Sequence, residues 1–151
     1  MPVKDTLTIQ EMARQSGLSE HTLRYYERIG LLTPIPRDHS SGHRRYSADM
    51  AVIVESLSCL RGTGMSLEDI RRFLHLRQRG NLAAREQKAL FAAHLAAVTE
   101  EIEQMKVRME YLADKVAYWT AVEAGDMEEA ALARDAARRL MPSLTRRKVT
   151  Q

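Results

Sequence analysis

The spacing of hydrophobic residues along the chain predicts helices over most of its length. Apolar positions recur every three or four residues in six segments, each bounded by a capping residue, a glycine or a proline. The predicted helices span residues 8–16, 19–30, 47–61, 66–79, 82–124 and 127–141. Residues 33–47 lack this periodicity, and two prolines with a Ser-Ser-Gly turn predict a loop or a small hairpin there. We therefore expect an all-α dominated fold with one small β-hairpin.

The fifth predicted helix carries a continuous heptad stripe. Residues 82–124 contain neither proline nor glycine, which allows about 60 Å of unbroken helix at 1.5 Å per residue. Nine hydrophobic residues, which we call the seam, follow one another at alternating spacings of four and three, the pattern of a coiled coil. They are Phe91, Leu95, Val98, Ile102, Met105, Met109, Leu112, Val116 and Trp119. The 80 residues before this helix are too few to cover such a stripe, so we expect it to pair with a second copy of the chain; folding back onto its own domain is the alternative.

Two short predicted helices near the N-terminus have the layout of a helix-turn-helix. A capping box opens the first, a Gly-Leu-Ser turn follows, and Ser19 caps the second. At 100° per residue, the second helix places Leu23, Tyr26 and Ile29 on a packing side. The opposite face carries His21, Arg24, Tyr25 and Arg28. Such side chains can hold phosphates and reach base edges, although a solvated basic surface would show the same pattern.

A second basic element follows the helix-turn-helix. Pro34 and Pro36 cannot donate to a strand ladder, which limits any strand here to an edge. The basic residues of this segment are Arg37, His39, His43, Arg44 and Arg45. A basic hairpin beside a helix-turn-helix is a wing that can lie along the phosphates next to the groove. A plain solvated loop is the alternative.

The composition is compatible with DNA binding and excludes several other classes of protein. The formal net charge is +3, and the excess lies in residues 1–79, which hold 12 Lys and Arg against 9 Asp and Glu. No apolar run is long enough to cross a membrane and no signal-peptide pattern is present, so we expect a cytoplasmic protein. Cys59 is the only cysteine, which excludes an intramolecular disulfide and indicates a reducing compartment. The histidines lack metal-ligand spacing and no catalytic arrangement is apparent, so we expect no metal, no cofactor and no enzymatic activity.

The order of these motifs resembles the MerR family of bacterial transcription regulators. Five stretches and Arg37 carry the resemblance: residues 8–13, 17–19, 22–32, 44–46 and 64–70. The resemblance implies a winged helix-turn-helix domain over residues 1–80 and an antiparallel dimerising coiled-coil helix over residues 81–124. A short C-terminal helix would follow over residues 125–151, with a mobile basic tail at Arg146, Arg147 and Lys148.

The same resemblance implies a function and a set of DNA-contacting residues. A homodimer would bind a quasi-palindromic site in double-stranded promoter DNA, at the nucleoid, and bend and untwist it in response to an effector. This distortion would realign the promoter for RNA polymerase. The residues that match the family's DNA-contacting elements, together with the rest of the basic helix face, are His21, Thr22, Arg24, Tyr25, Arg28, Arg44, Arg45, Tyr46 and Arg61.

The effector is less clearly indicated than the DNA-binding surface. No cysteine follows Cys59, so we expect neither the cysteine pairs nor the large ligand-binding domain of other branches; residues 57–70 resemble the aldehyde- and nitrosothiol-responsive (NmlR/AdhR-like) branch. That branch carries a cysteine in this helix, which makes Cys59 a sensor candidate; a small hydrophobe packed against another helix is the alternative. A small hydrophobic ligand bound by Tyr111, Tyr118 and Trp119 is a second hypothesis. An architectural protein that bends DNA without any effector is a third.

Overall fold

The computed structural model describes residues 6–145, which are mostly helical. In chain order the elements are β1 (Thr6–Leu7), α1 (Ile9–Ser16), α2 (Glu20–Arg28), β2 (Tyr46–Ser47), α3 (Ala48–Gly62), α4 (Leu67–Gln78), a 3-10 turn (Gly80–Ala83), α5 (Ala84–Ala124) and α6 (Met127–Thr145). Two compact units divide the chain after Leu90. The predicted fold class is confirmed. The predicted basic tail at Arg146, Arg147 and Lys148 lies outside the described residues.

The first unit, residues 1–90, is built around the helix-turn-helix. Thr8 and Glu11 form the predicted capping box at the start of α1. Gly17 ends α1 at φ +74°, a left-handed conformation that glycine adopts without strain, and Ser19 then caps α2. The largest fully buried side chains of the core come from α1, α2, the segment after α2, β2, α3, the turn before α4 and α4: Met12, Leu23, Leu32, Tyr46, Val54, Leu57, Met65 and Ile70. Burial of these residues fixes the angle between α1 and α2.

The small sheet pairs two distant segments rather than the two sides of the wing. β1 and β2 are antiparallel, with Thr6 opposite Ser47 and Leu7 opposite Tyr46. Within the wing, one isolated antiparallel bridge joins Arg37 to Arg44. Prolines that lack a donor precede this bridge and a tight turn follows it, so the ladder within the wing does not extend. The wing is therefore a short closed loop anchored to the sheet at its C-terminal end.

The second unit, residues 91–151, consists of most of α5 and the helix that folds back on it. Gln104 and Val107 of α5 line one cavity with Ser143 and Leu144 of α6. Further along, Tyr118 of α5 lines a second cavity with alanines of α6. The two helices are therefore antiparallel. Among the described residues of this unit, the buried positions are all alanine: Ala121, Ala130, Ala133 and Ala137.

Helix α6 covers a different face of α5 from the seam. Residues of α5 that face α6, such as Val107 and Tyr118, lie on the opposite side of the heptad wheel from the seam. Eight of the nine seam residues are exposed large hydrophobics, all except Val98. Fold-back of α6 therefore leaves the seam uncovered.

One predicted helix boundary was wrong. The sequence predicts that the last helix ends before Pro142, but α6 continues through that proline to Thr145. Proline removes one backbone hydrogen bond, and its position in the last turn limits the loss. Leu144 lines the same cavity as Val107 of α5, and Thr145 Oγ1 donates to the Met141 carbonyl at 2.9 Å. These contacts offset the missing bond.

Two properties of residues 6–145 bear on other classes of protein. None of the helices is long and apolar enough to span a membrane. Over residues 6–145, no group of three or more His, Cys, Asp or Glu side chains is placed to hold a metal ion.

Candidate nucleic-acid interface

Helix α2 separates a packing face from a basic face. Leu23 is fully buried and Tyr26 is 5% exposed, so both anchor the helix in the core. The exposed side chains on the other face are those that the sequence predicted: His21, Arg24, Tyr25 and Arg28. Tyr25 is 39% exposed, and the Arg28 guanidinium lies 5.7 Å from its ring centroid. This cation–π contact holds both side chains on the same surface.

The N-terminus of α2 is fixed by its cap. The Ser19 hydroxyl accepts a hydrogen bond from the Thr22 backbone N–H at 3.0 Å. The Thr22 hydroxyl lies 2.8 Å from the same Ser19 oxygen, and either can be the donor. Thr22, a predicted DNA contact, is thus half-buried and engaged in capping, while His21 beside it is exposed.

Glu27 fastens the wing to α2. Its Oε1 accepts hydrogen bonds from Arg44 Nη2 at 3.0 Å and from Arg44 Nε at 3.2 Å, and the opposite charges of the two groups strengthen these bonds. The same carboxylate accepts from the Ile35 backbone N–H at 2.9 Å. Both charged side chains are only 18% exposed. Partial burial acts to raise the pKa of Glu27, but the hydrogen bonds from Arg44 and Ile35 outweigh it and the pKa is lowered.

Glu27 has a functional role that the local sequence patterns did not predict. Glu27 lies four residues after the buried Leu23 and therefore on the same side of α2, at the edge of the packing face. An acidic residue in that place is a signal for a buried partner, and the partner is Arg44. The guanidinium of Arg44, a predicted DNA contact, is thus paired with Glu27 and holds the wing against α2.

The tip of the wing is a compact turn organised by Asp38. Its Oδ1 accepts hydrogen bonds from the backbone and hydroxyl groups of Ser40 and Ser41, and these bonds hold the pKa of Asp38 well below its usual range. Arg37 Nη1 donates to the Gly42 carbonyl at 2.9 Å. The Nε of Arg45 lies 4.0 Å from Asp38, at the limit of an ion pair. Arg45 therefore stays half-exposed beside the turn.

Tyr46 requires a correction. The family pattern places it among the DNA contacts of the wing, but its side chain is fully buried in the core. Its place in β2, opposite Leu7, turns the ring inward. Burial raises the pKa of its hydroxyl, and that hydroxyl lacks a hydrogen-bond partner among the described residues. Tyr46 packs in the core at the C-terminal end of the wing and does not reach the surface.

We expect Tyr46→Phe to leave DNA affinity unchanged and to leave the stability unchanged or raise it by up to about 1 kcal/mol, because a buried unsatisfied hydroxyl is removed. Thermal unfolding and operator titration of the two proteins test this. A drop in operator affinity at unchanged stability would restore Tyr46 to the interface.

Two further arginines brace the ends of helices. Arg61, predicted to contact a flanking phosphate, is exposed and donates from Nη1 to the Met65 carbonyl at 2.8 Å, which closes the turn between α3 and α4. Arg71 of α4, which the sequence analysis did not select, points both Nη atoms at the Ile29 carbonyl at the end of α2, each at 3.4 Å. Arg61 and Arg71 therefore each have a structural role within this unit, because their guanidinium groups donate to backbone carbonyls at helix ends.

Comparison with known proteins identifies this arrangement. The family profile described as MerR HTH family regulatory protein matches residues 7–76, and a second, described as MerR, DNA binding, matches residues 56–114. An uncharacterized HTH-type transcriptional regulator of Haemophilus influenzae is 34% identical over 119 residues, which cover 79% of this chain and 87% of the relative. The chain belongs to the MerR family. It is a DNA-binding transcription regulator, and the relatives with assigned roles are regulators rather than enzymes.

Other members of the MerR family support the predicted branch. The HTH-type transcriptional regulator AdhR of Bacillus subtilis is 35% identical over 86 residues, 57% of this chain and 61% of AdhR. The crystal structure of HiNmlR, a MerR family regulator lacking the sensor domain, bound to promoter DNA, aligns with a TM-score of 0.66 and 31% identity, over 85% of this chain and 95% of that chain. A MerR-family regulator from Listeria monocytogenes aligns with the same TM-score at 28% identity, over 88% of this chain and 98% of its own. The chain thus resembles NmlR- and AdhR-like members.

The candidate sensor residues of this MerR-family chain belong to both units: Cys59 to the first, and Tyr111, Tyr118 and Trp119 to the second. Cys59 is exposed on α3, on the same side of the helix as the half-exposed Val52. Tyr111 receives the Lys115 ammonium 5.6 Å from its ring centroid. Tyr118 packs edge-to-face on Trp119 with the centroids 5.0 Å apart. Of these three aromatic residues, Tyr118 lines the cavity of about 240 Å³ between α5 and α6, while Trp119 is 64% exposed within the seam.

Proposed function

We propose that this chain is a homodimeric regulator that recognises an operator with two half-sites and distorts it in response to an effector. The observation that supports it is the seam, a row of exposed hydrophobic residues along one face of α5. Leu95, Met109 and Val116 are 67%, 65% and 68% exposed. A contiguous apolar stripe of this length is uncommon on a monomer and is typical of a coiled-coil surface.

Dimerisation would allow the basic faces of two α2 helices to bind one operator together. A single copy offers one short helix and one wing, and phosphate contacts from these alone give weak, sequence-independent binding. Two copies address two half-sites, whose centres in helix-turn-helix dimers are separated by about 34 Å or a multiple of it. The distortion that this regulator imposes would favour or hinder RNA polymerase through the geometry of the promoter, without a polymerase-binding surface of its own. The protein would do this in the bacterial cytoplasm, at the nucleoid.

Footprinting of the promoter upstream of its own gene, combined with the molar mass in solution, tests the proposal. We expect a dimer and a protected region with two-fold symmetry. A monomer that protects random DNA equally well would contradict both parts.

For the effector we propose thiol-reactive stress, such as a reactive aldehyde or a nitrosothiol, acting through Cys59. The support is the exposure of this thiol and the similarity to NmlR- and AdhR-like members. We expect Cys59→Ser to abolish the response of a reporter promoter to formaldehyde, methylglyoxal or S-nitrosoglutathione while operator affinity is unchanged. Ser56→Ala, one turn earlier on α3, is the control and should respond as the natural protein does.

A second candidate effector is a small hydrophobic molecule bound beside Tyr118. The cavity of about 240 Å³ between α5 and α6 favours it, since alanines 133 and 137 leave the space that larger side chains would fill. An unchanged response of Cys59→Ser to the thiol-reactive compounds would remove Cys59 from the mechanism and leave this candidate. Absence of any response in the natural protein, to the thiol-reactive compounds and to hydrophobic molecules alike, would favour an architectural DNA-bending role.

A further inference from the structure

The DNA-facing side of α2 contains one acidic residue that interacts with a basic one. Glu20 opens the helix, and its Oε2 accepts a hydrogen bond from Arg24 Nη2 at 2.8 Å, one turn further on. The side chains are 36% and 47% exposed, so the pair lies on the surface that would meet DNA. A carboxylate in that place repels phosphates and weakens sequence-independent binding.

The pair leaves most of the Arg24 guanidinium available. An arginine side chain has five N–H donors in a rigid planar fork, and the contact with Glu20 uses one of them. Two parallel N–H groups are needed to bind the O6 and N7 acceptors of guanine, and the fork still has them. A move of the guanidinium sideways to a phosphate would separate it from Glu20. The ion pair is therefore compatible with a bidentate base contact, and it disfavours any phosphate contact that would draw the guanidinium away from Glu20.

We propose that Glu20 is a specificity-determining residue, which positions Arg24 so that it reads a guanine in each half-site and disfavours its use as a phosphate contact. This inference rests on the proposed operator recognition. Glu20 acts through Arg24 and makes no base contact of its own. Its charge adds discrimination in two ways: it orients the fork, and it lowers affinity for DNA that lacks the guanine.

The position of Glu20 also suits a merely structural role, and the two roles make different predictions. An acidic residue in the first turn interacts favourably with the helix dipole, so its loss could weaken α2 as a whole. Ser19 already caps the helix, and glutamine keeps nearly the same helix propensity. A structural defect lowers affinity for every sequence alike, whereas loss of positioning changes the base preference at one position of each half-site.

The experiment compares the base preference of the natural protein with that of Glu20→Gln, on an operator library randomised one position at a time. We expect one guanine per half-site whose preference falls by about fivefold in Glu20→Gln, a modest share of what a bidentate contact provides. Affinity for random DNA should rise by about twofold per protomer, the scale of one exposed i,i+4 pair. Glu103→Gln is the matched control: it makes the same charge change and removes an exposed ion pair of the same 2.8 Å length, with Lys106 of α5.

A double-mutant comparison separates positioning from simple charge. Lysine at position 24 keeps the positive charge but lacks the fork, so Glu20→Gln should have no further effect on base preference in an Arg24→Lys background. A uniform loss of affinity, or an unchanged base preference, in Glu20→Gln would overturn the proposal. If the natural protein itself shows no site preference, operator recognition is wrong and this inference falls with it, a result that is read from the natural protein alone.

Discussion

Two glutamates on the seam, Ile102→Glu with Met109→Glu, are expected to turn the protein into a 17.2 kDa monomer with at least about 100-fold weaker operator binding. Both side chains are more than half exposed in the single chain, so the substitutions remove little packing within it. In a paired seam they would bury four charges without partners. Loss of the second half-site then removes the gain from binding two linked sites.

Molar mass by light scattering and operator affinity measured in the same buffer check this result. The matched control is Ala96→Glu with Ala117→Glu, which adds two charges to the same helix at exposed positions off the seam. That control should remain a dimer with the affinity of the natural protein. A seam variant that stays dimeric would show that another surface joins the two copies.

Glu27→Ala is expected to have the largest effect on the DNA-binding unit. It strips the Arg44 guanidinium of its paired carboxylate and leaves the Ile35 N–H without an acceptor. The free energy of unfolding should fall by about 2 kcal/mol, less than for a fully buried pair because both side chains keep some contact with water. The melting temperature should fall by about 10 °C. Operator affinity should fall by about tenfold, because the wing is no longer pre-positioned beside α2.

The control for Glu27→Ala is Glu103→Ala, which breaks a pair with Lys106 whose side chains are both more than half exposed, and it should change stability by less than about 0.5 kcal/mol. The pH dependence of stability gives a second check on Glu27→Ala.

The pKa of Glu27 is lowered from its ordinary value of 4.5, so its contribution to stability is present above that pH and is lost as the pH falls through the lowered value. The difference in the free energy of unfolding between the natural protein and Glu27→Ala should therefore be constant near neutrality and shrink in acid. A difference that grows in acid would contradict the assigned ion pair.

Local signals in the sequence were sufficient to predict the helices and the faces of α2 and α5. Capping residues and glycines predicted the ends of α1 and α2, and the heptad spacing predicted the seam. Helix capping and heptad spacing can both be read from the sequence because each depends on residues close together in the chain. In the wing, local sequence signals were not sufficient to predict where the side chains point. Arg44, Arg45 and Tyr46 are consecutive, yet one is paired with α2, one lies beside the turn and one is buried. Their directions are set by β1, about forty residues earlier, and by Glu27, and no local pattern encodes that pairing.

The alanine contact between α5 and α6 has a consequence for the dynamics of the chain. A buried methyl group contributes ~0.8 kcal/mol, so the four buried alanines give little to set against the conformational entropy of the 19 residues in α6. Segments with so few buried contacts open by local unfolding well before the domain does. Because α6 lies on the side of α5 away from the seam, such opening is a separate cooperative event. The last helix can exchange between docked and open forms while the seam keeps its own geometry.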